Sequence, residues 1–212
     1  MGRGNAKKAL MNAERIRIPS EEECRQLVVG MGVMEHIVAH SLQVCRVSLL
    51  LSDHMEHSSL NRELIRAAAL LHDITKTRSF LTREDHAETG ARLLMELGYP
   101  EVGRIVGQHV HLESCFASAT PTEAEIVNYA DKRVLHERIV PLGERMGYIL
   151  EKYGRTPERK RELLLLWEKT EEIEKRLFDR LPFAPGDIGR LIEKSRGQGP
   201  NSSLSSPAIS LS

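Results

Sequence analysis

Five segments of this chain carry an ionisable residue on or beside a face that helical spacing makes apolar. The stripe Val33, Ile37, His40, Val44, Val47, Leu51 keeps three- and four-residue steps and has a histidine in its middle. Ile65, Ala69 and His72 share a face of the next segment, and His86 lines up with Gly90, Leu93 and Leu97 in the one after. Val102, Val106 and His109 align further on, and Asp131 flanks the stripe Ile126, Ala130, Val134. A single histidine on an apolar stripe is more often a hydrogen-bonded core residue than a ligand, by roughly three to one. Asp131 alone would read as a paired acid at a helix contact. Jointly the case differs, because five helices would carry polar groups into one interior where unpaired charge is costly. A shared metal ion satisfies them together. The tetrad Leu71-His72-Asp73-Ile74 places an imidazole and a carboxylate side by side, and mixed nitrogen and oxygen ligands suit zinc, iron, manganese or nickel.

The punctuation between these residues is helical throughout. Ser20 with Glu23 makes a capping box for a short helix ending near Gly30 or Gly32. A long helix follows from about Val33 to Leu51, and another covers Asn61 to Asp73. Thr82 with Asp85 opens the next, which Gly98 closes; Pro100 sits in the first turn of a helix reaching His111. Thr120-Pro121-Thr122-Glu123 reads as a capping box with proline at the first helical position, starting a helix through His136. Pro141 begins one more, and Pro157 to Leu181 carries the stripe Leu163, Leu166, Ile173, Leu177, Leu181. No alternating strand pattern competes, so the expected fold is all-α, a helical bundle with a metal site between helices.

Composition excludes several alternatives. The formal net charge is zero and aromatic residues make up only 4% of the chain, which gives no strong signal for nucleic acid. Three cysteines (Cys24, Cys45, Cys115) without a CxxC argue against a disulfide framework and for reducing, cytoplasmic surroundings. No run approaches about 18 apolar residues, so no membrane partner is expected. The organisation expected for the 212 residues is a flexible basic arm over 1–18, a metal-binding domain over 19–140, C-terminal helices packing on the core over 141–194, and a Ser/Gly-rich disordered tail over 195–212.

The ordered set His40, His72-Asp73, His86, His109, Asp131 resembles the HD-domain superfamily of metal-dependent phosphohydrolases. The neighbouring residues resemble it too: Ala67-Ala68-Ala69-Leu70-Leu71 before His72, Ile74-Thr75-Lys76 after Asp73, Ala87-Glu88-Thr89-Gly90-Ala91 after His86, and Tyr129-Ala130-Asp131-Lys132. The resemblance covers about residues 20 to 140. It implies an HD-type bundle in which His40, His72, Asp73 and Asp131 are the core metal ligands. His86 and His109 match the extra histidines of two-metal members, with the equivalent of Asp73 bridging both ions. Two positions depart from the pattern. The chain reads His109-Val110-His111 where two-metal members often have adjacent histidines, and Thr75 stands where many members have glycine.

The expected activity is divalent-metal-dependent hydrolysis of a nucleotide or other small phosphoester by metal-activated water, with one or two ions of manganese, iron, nickel, zinc or magnesium. Asp73 and Lys76 are the expected catalytic residues, Lys76 by neutralising charge on the phosphate; a solvated lysine at a helix end is the plainer account of it. Arg78, Arg83, Lys132 and Arg133 are further phosphate candidates, each more simply a surface charge. His36, His54, His57 and His136 match no motif position. Two rival readings stand beside this one: a non-catalytic, metal-stabilised regulatory module, and an HD-type di-iron oxygenase. A homodimer through the C-terminal helices is left open.

Overall fold

The computed structural model describes residues 16–56, 59–112, 118 and 120–198. Most of the expected basic arm, His57, Cys115 and the tail from 199 lie outside these residues. Helix α1 (Glu21–Gly30) starts at Ser20, whose hydroxyl accepts from Glu23 N while the Glu23 carboxylate accepts from Ser20 N. Both bonds satisfy backbone or side-chain groups that a helix start leaves open. Gly32, at φ +59, turns the chain into α2 (Glu35–His54). Asn61 caps α3 (Arg62–Leu71) through its bond from Leu64 N. The buried run Ala67, Ala68, Ala69 keeps that helix thin where it lies against α2.

The segment after Asp73 differs from its sequence reading. Lys76–Thr82 forms a separate short helix, α4, and Arg83 ends it in the left-handed region at φ +63. Thr82 therefore closes a helix instead of opening one. Asp85 caps α5 (His86–Glu96) by accepting from Ala87 N and Glu88 N. Gly98, at φ +85, closes the turn into α6 (Pro100–Val106). Gly90 lies against Val106 of α6, but the tighter contact is at Gly103. A Cβ on Gly103 would lie 2.7 Å from Ala91 O, against 3.2 Å from Val106 Cγ1 for one on Gly90. Helix α6 stops at Val106, and 107–111 continue as turns and bends instead of helix.

Helix α7 (Glu123–Lys132) opens one register later than the sequence suggested. Its capping box is Thr122 with Glu125, and Pro121 stands before the cap. It also ends four residues earlier, because a two-residue hairpin follows: β1 (Val134–Leu135) pairs antiparallel with β2 (Arg138–Ile139), and His136 turns between them at φ +56. The fold remains all-α apart from this short hairpin. Helices α8 (Leu142–Tyr153) and α9 (Pro157–Phe178) form an antiparallel pair, and a 3-10 turn (Pro185–Asp187) leads into α10 (Ile188–Gln198). That last helix extends past the residue, 195, at which the tail was expected to begin.

One core joins these elements. Val44, Val47 and Leu51 of α2 meet Leu64, Ile65 and Leu71 of α3, Ile126 and Ala130 of α7, and Ile173, Leu177, Ile188 and Ile192 from the C-terminal helices. Arg133 ties the layers with its whole guanidinium: Nε donates to Val140 O, Nη2 to Pro185 O, and Nη1 to the Tyr129 hydroxyl, which itself donates to Glu174. Arg133 is thus buried and structural, neither a surface charge nor a phosphate ligand. Arg17 and Ile18, placed in the expected arm, instead pack: Arg17 lies over the Tyr99 ring at 4.6 Å and Ile18 against the core. No helix of the described residues is long and apolar enough to cross a membrane.

Candidate metal centre

The helix ends place the candidate ligands. His72 follows directly on α3 and His109 comes three residues after α6. The last turn of a helix leaves carbonyls without their usual i+4 amide partners, and each histidine ring turns back to one of them. His72 Nδ1 donates to Ala69 O at 2.8 Å, and His109 Nδ1 donates to Val106 O at 2.7 Å. His40, in the middle of α2, donates from Nδ1 to His136 O at 2.9 Å, the carbonyl presented by the left-handed turn of the hairpin. A neutral imidazole that donates from Nδ1 carries its lone pair on Nε2. In that neutral form each of the three Nε2 atoms presents its lone pair to the cluster.

What they meet is also an acceptor. His40 Nε2 lies 3.0 Å from Asp131 Oδ1; His72 Nε2 lies 3.5 Å from Asp73 Oδ2 and 3.7 Å from Asp131 Oδ1. His109 Nε2 is 3.6 Å from Asp73 Oδ1, and His86 Nε2 is 3.3 Å from the same oxygen and 3.1 Å from His109 Nε2. His72 Nε2 and Asp73 Oδ1 are buried with no hydrogen-bond partner. His40, His72, Asp73, His109 and Asp131 are all buried, whereas His86 is partly exposed. Lone pairs facing carboxylate oxygens away from water repel one another unless a proton or cation lies between them. Among the described residues, two sets have ligand atoms within 4.8 Å of one another: His40, His72 and Asp73, and Asp73, His86 and His109. Asp73 belongs to both. Asp131 adjoins the first through His40 and His72. The structure thus brings together every metal-site residue that the sequence singled out.

The electrostatics suit a cation. Burial pushes the His72 imidazole down to about 3, so it stays neutral. Burial works against charge on Asp73, but its neighbours His72 and Lys76 outweigh it and hold the carboxyl well below the usual range. Asp131 is likewise held well below that range: burial opposes its charge, and Lys132, His40 and Arg145 favour it. Lys76 does not sit at a helix C-terminus as its plainer account required. It is the first residue of α4, and its Nζ donates to Asp73 Oδ2 at 2.7 Å. Lys132 is not a surface charge either. It is buried, and donates to Asp131 Oδ2 and to His109 O.

Several supporting groups escaped the sequence reading. Asn128 Nδ2 donates to both Gln108 O and His109 O, fixing the bend that carries His109. His136 matched no motif, yet its carbonyl orients His40. Thr75, at the position where glycine is common, donates to His86 O at 2.8 Å and contacts the Thr89 hydroxyl at 3.1 Å, tying the start of α5 to the His72-Asp73 turn. Arg145 of α8 brings Nη2 to 4.0 Å from Asp131 Oδ1. His111 is exposed and outside the cluster; Arg78 pairs with Glu84 on the surface.

The family model of the HD domain matches residues 37–134, a span that includes every residue of the cluster except Arg145. A tRNA (cytidine(56)-2'-O)-methyltransferase of Picrophilus torridus is 29% identical over 142 residues, 61% of this chain and 40% of that protein. A dihydroneopterin 2',3'-cyclic phosphate phosphodiesterase of Methanocaldococcus jannaschii is 30% identical over 112 residues, 45% of each. The chain thus spans less than half the length of these curated relatives. The crystal structure of a predicted HD superfamily hydrolase from an uncultured Thermotogales bacterium aligns at 21% identity with a TM-score of 0.45, covering 82% of this chain and 97% of that one. Residues 37–134 of this chain match the HD-domain family.

Proposed function

We propose that this chain is a divalent-metal-dependent phosphohydrolase acting on a nucleotide or other small phosphoester. The observation that carries the metal is the set of buried acceptors: imidazole Nε2 atoms facing two carboxylates, with His72 Nε2 and Asp73 Oδ1 unpartnered. Phosphoester chemistry is supported by the HD domain and by the name of the M. jannaschii relative.

His40, His72, Asp73 and Asp131 would hold one ion, and Asp73 with His86 and His109 a second. When bound, such an ion supplies Lewis acidity, making water nucleophilic near neutral pH and polarising a phosphoryl oxygen. The chain's own groups do the rest. Carbonyls 69, 106 and 136 hold the imidazoles in one tautomer, which raises their basicity and fixes their direction. Lys76, with its side chain 30% exposed, can shift from Asp73 toward an incoming phosphate and offset its charge. Buried Lys132 holds Asp131 and His109 together and is not free to do the same.

The test is metal analysis of the purified protein coupled to a panel of phosphomonoesters and phosphodiesters, with and without added manganese, iron, nickel, zinc or magnesium. Metal-dependent release of phosphate or alcohol that disappears in Asp73→Asn is the expected result. Bound metal with no turnover on any phosphoester would replace this reading with a metal-stabilised binding module.

A further inference from the structure

Arg133 and Arg145, both beyond α7, are used in opposite ways. Arg133 is 4% exposed in its side chain, and all three of its nitrogens donate to protein acceptors. The Arg145 side chain is 14% exposed, yet its guanidinium makes no hydrogen bond among the described residues. Its Nε is buried without a partner. Its remaining contacts are the 4.0 Å approach of Nη2 to Asp131 Oδ1 and the Tyr148 ring, 5.8 Å from Cζ. An arginine held largely out of water without acceptors is costly unless another acceptor completes it.

Its position says what that acceptor is. Arg145 shares the inward face of α8 with Leu142 and Met146, both buried, so helical spacing delivers it to the interior as it does the histidines. There it stands on the Asp131 side of the cluster, while Lys76 stands on the Asp73 side. Arg145 reaches neither Asp131 oxygen within hydrogen-bond distance: Nη2 stays 4.0 Å from Oδ1, and Oδ2 accepts from Lys132. The guanidinium edge presents two parallel N–H groups, a geometry that fits two oxygens of one phosphate.

We propose that Arg145 is a phosphate-binding residue of the site, taking two non-bridging oxygens of the substrate phosphoryl group across the cluster from Lys76. It lies outside the HD domain match at 37–134, so α8 completes the site instead of merely covering it. This inference rests on the phosphohydrolase reading of the cluster.

The experiment uses the full chain saturated with manganese and measures binding of inorganic phosphate by calorimetry, after a separate manganese titration without phosphate. Arg145→Gln is expected to keep manganese affinity within about threefold and to lose about ten- to a hundredfold in phosphate affinity, the scale of a charge-assisted bond pair. Arg145→Lys is expected to recover only part of it, because an ammonium cannot form the parallel pair. Arg138→Gln, removing an exposed arginine paired with Glu144, serves as a control that leaves both affinities unchanged. Unchanged phosphate affinity in Arg145→Gln overturns the inference. So does a loss confined to manganese, which would make Arg145 a brace for Asp131. If Arg145→Gln does not fold, Arg145→Lys decides alone, and wild-type phosphate affinity in that variant overturns the inference. Wild-type protein that takes up manganese but no phosphate overturns it together with the phosphohydrolase reading.

Discussion

The two halves of the cluster share Asp73 and are otherwise built to different standards. On one side, His40 and His72 each spend Nδ1 on a backbone carbonyl, and Asp131 is braced by buried Lys132; these side chains are at most 11% exposed. On the other, His109 is fixed in the same way, but His86 is 24% exposed and, among the described residues, its ring meets only His109 and Asp73. His86 is held through its backbone, by Thr75, not through its ring. A ligand whose ring is oriented by an outer partner loses less freedom on binding, and such partners are worth about 10–100-fold in metal affinity. On the metal reading, the first half is a ready-made site and the second is a looser one that assembles around the ion.

The largest effect should come from the residue the halves share. Asp73→Ala removes a ligand from both and leaves Lys76 without its partner, so both ions should be lost, by more than the roughly 100-fold that an outer partner is worth. Metal stoichiometry by elemental analysis checks this; retention of one ion would show that the halves do not share Asp73. Next come the variants that separate them. His40→Ala should weaken the tighter step of a manganese titration by more than about a hundredfold, whereas His86→Ala should abolish the weaker step and leave the tighter one within a few-fold. The reverse assignment would sink the comparison.

Acidity should act through the buried half. His72 is pushed down to about 3 in the folded chain, against an ordinary 6.5, and burial is the main cause. Below 6.5 the unfolded chain takes up a proton that the folded chain refuses. The contribution is therefore complete above 6.5 and is lost as pH falls from there toward 3. Asp73 and Asp131, held below the ordinary 3.8, add losses of the same sign at lower pH. The metal-free protein should lose stability from pH 7 to 5 with a slope of up to about 1.4 kcal/mol per pH unit for the single proton. Urea melts across that range measure it, and His72→Gln should flatten the slope. A wild-type profile already flat would mean that His72 is not kept neutral by burial.

The contrast also marks what the sequence discloses. The stripe rule found His40, His72, His86 and His109 because each breaks a run of apolar positions, and it found the all-α core for the same reason. Applied to Leu142, Arg145, Met146 and Ile149, that rule marks Arg145 as well, although it stands beyond the last residue of the motif set. The carbonyls of Ala69, Val106 and His136 were out of its reach, since they depend on where a helix stops. The helix ends were misplaced at 73, 111 and 136, where capping residues competed or a turn was unmarked. The Thr82 and Thr120 caps show the competition: two suitable residues stand three or fewer positions apart in each case, and the structure uses Asp85 and Thr122. Lys132 and Arg133 read as surface charge because no periodic rule tells a buried, fully bonded cation from a solvated one.

Thr75 gives the finest test of the comparison. Its hydroxyl is the link between the His72-Asp73 turn and the start of α5, donating to His86 O, and it is fully buried. Glycine, common at that position in the resembling family, would leave His86 O without this donor and α5 free to shift. Thr75→Val keeps the shape and removes only the bond, so it separates the hydroxyl from the packing. The loss should be about 1 kcal/mol in stability, as for one hydrogen bond. Manganese binding should change unequally: the weaker step should fall by up to about tenfold, and the tighter step should stay where it was. Equal shifts in both steps would mean that Thr75 supports Asp73 rather than His86. No shift in either would mean that the ring of His86, loosely held as it is, finds the ion without help from the backbone behind it.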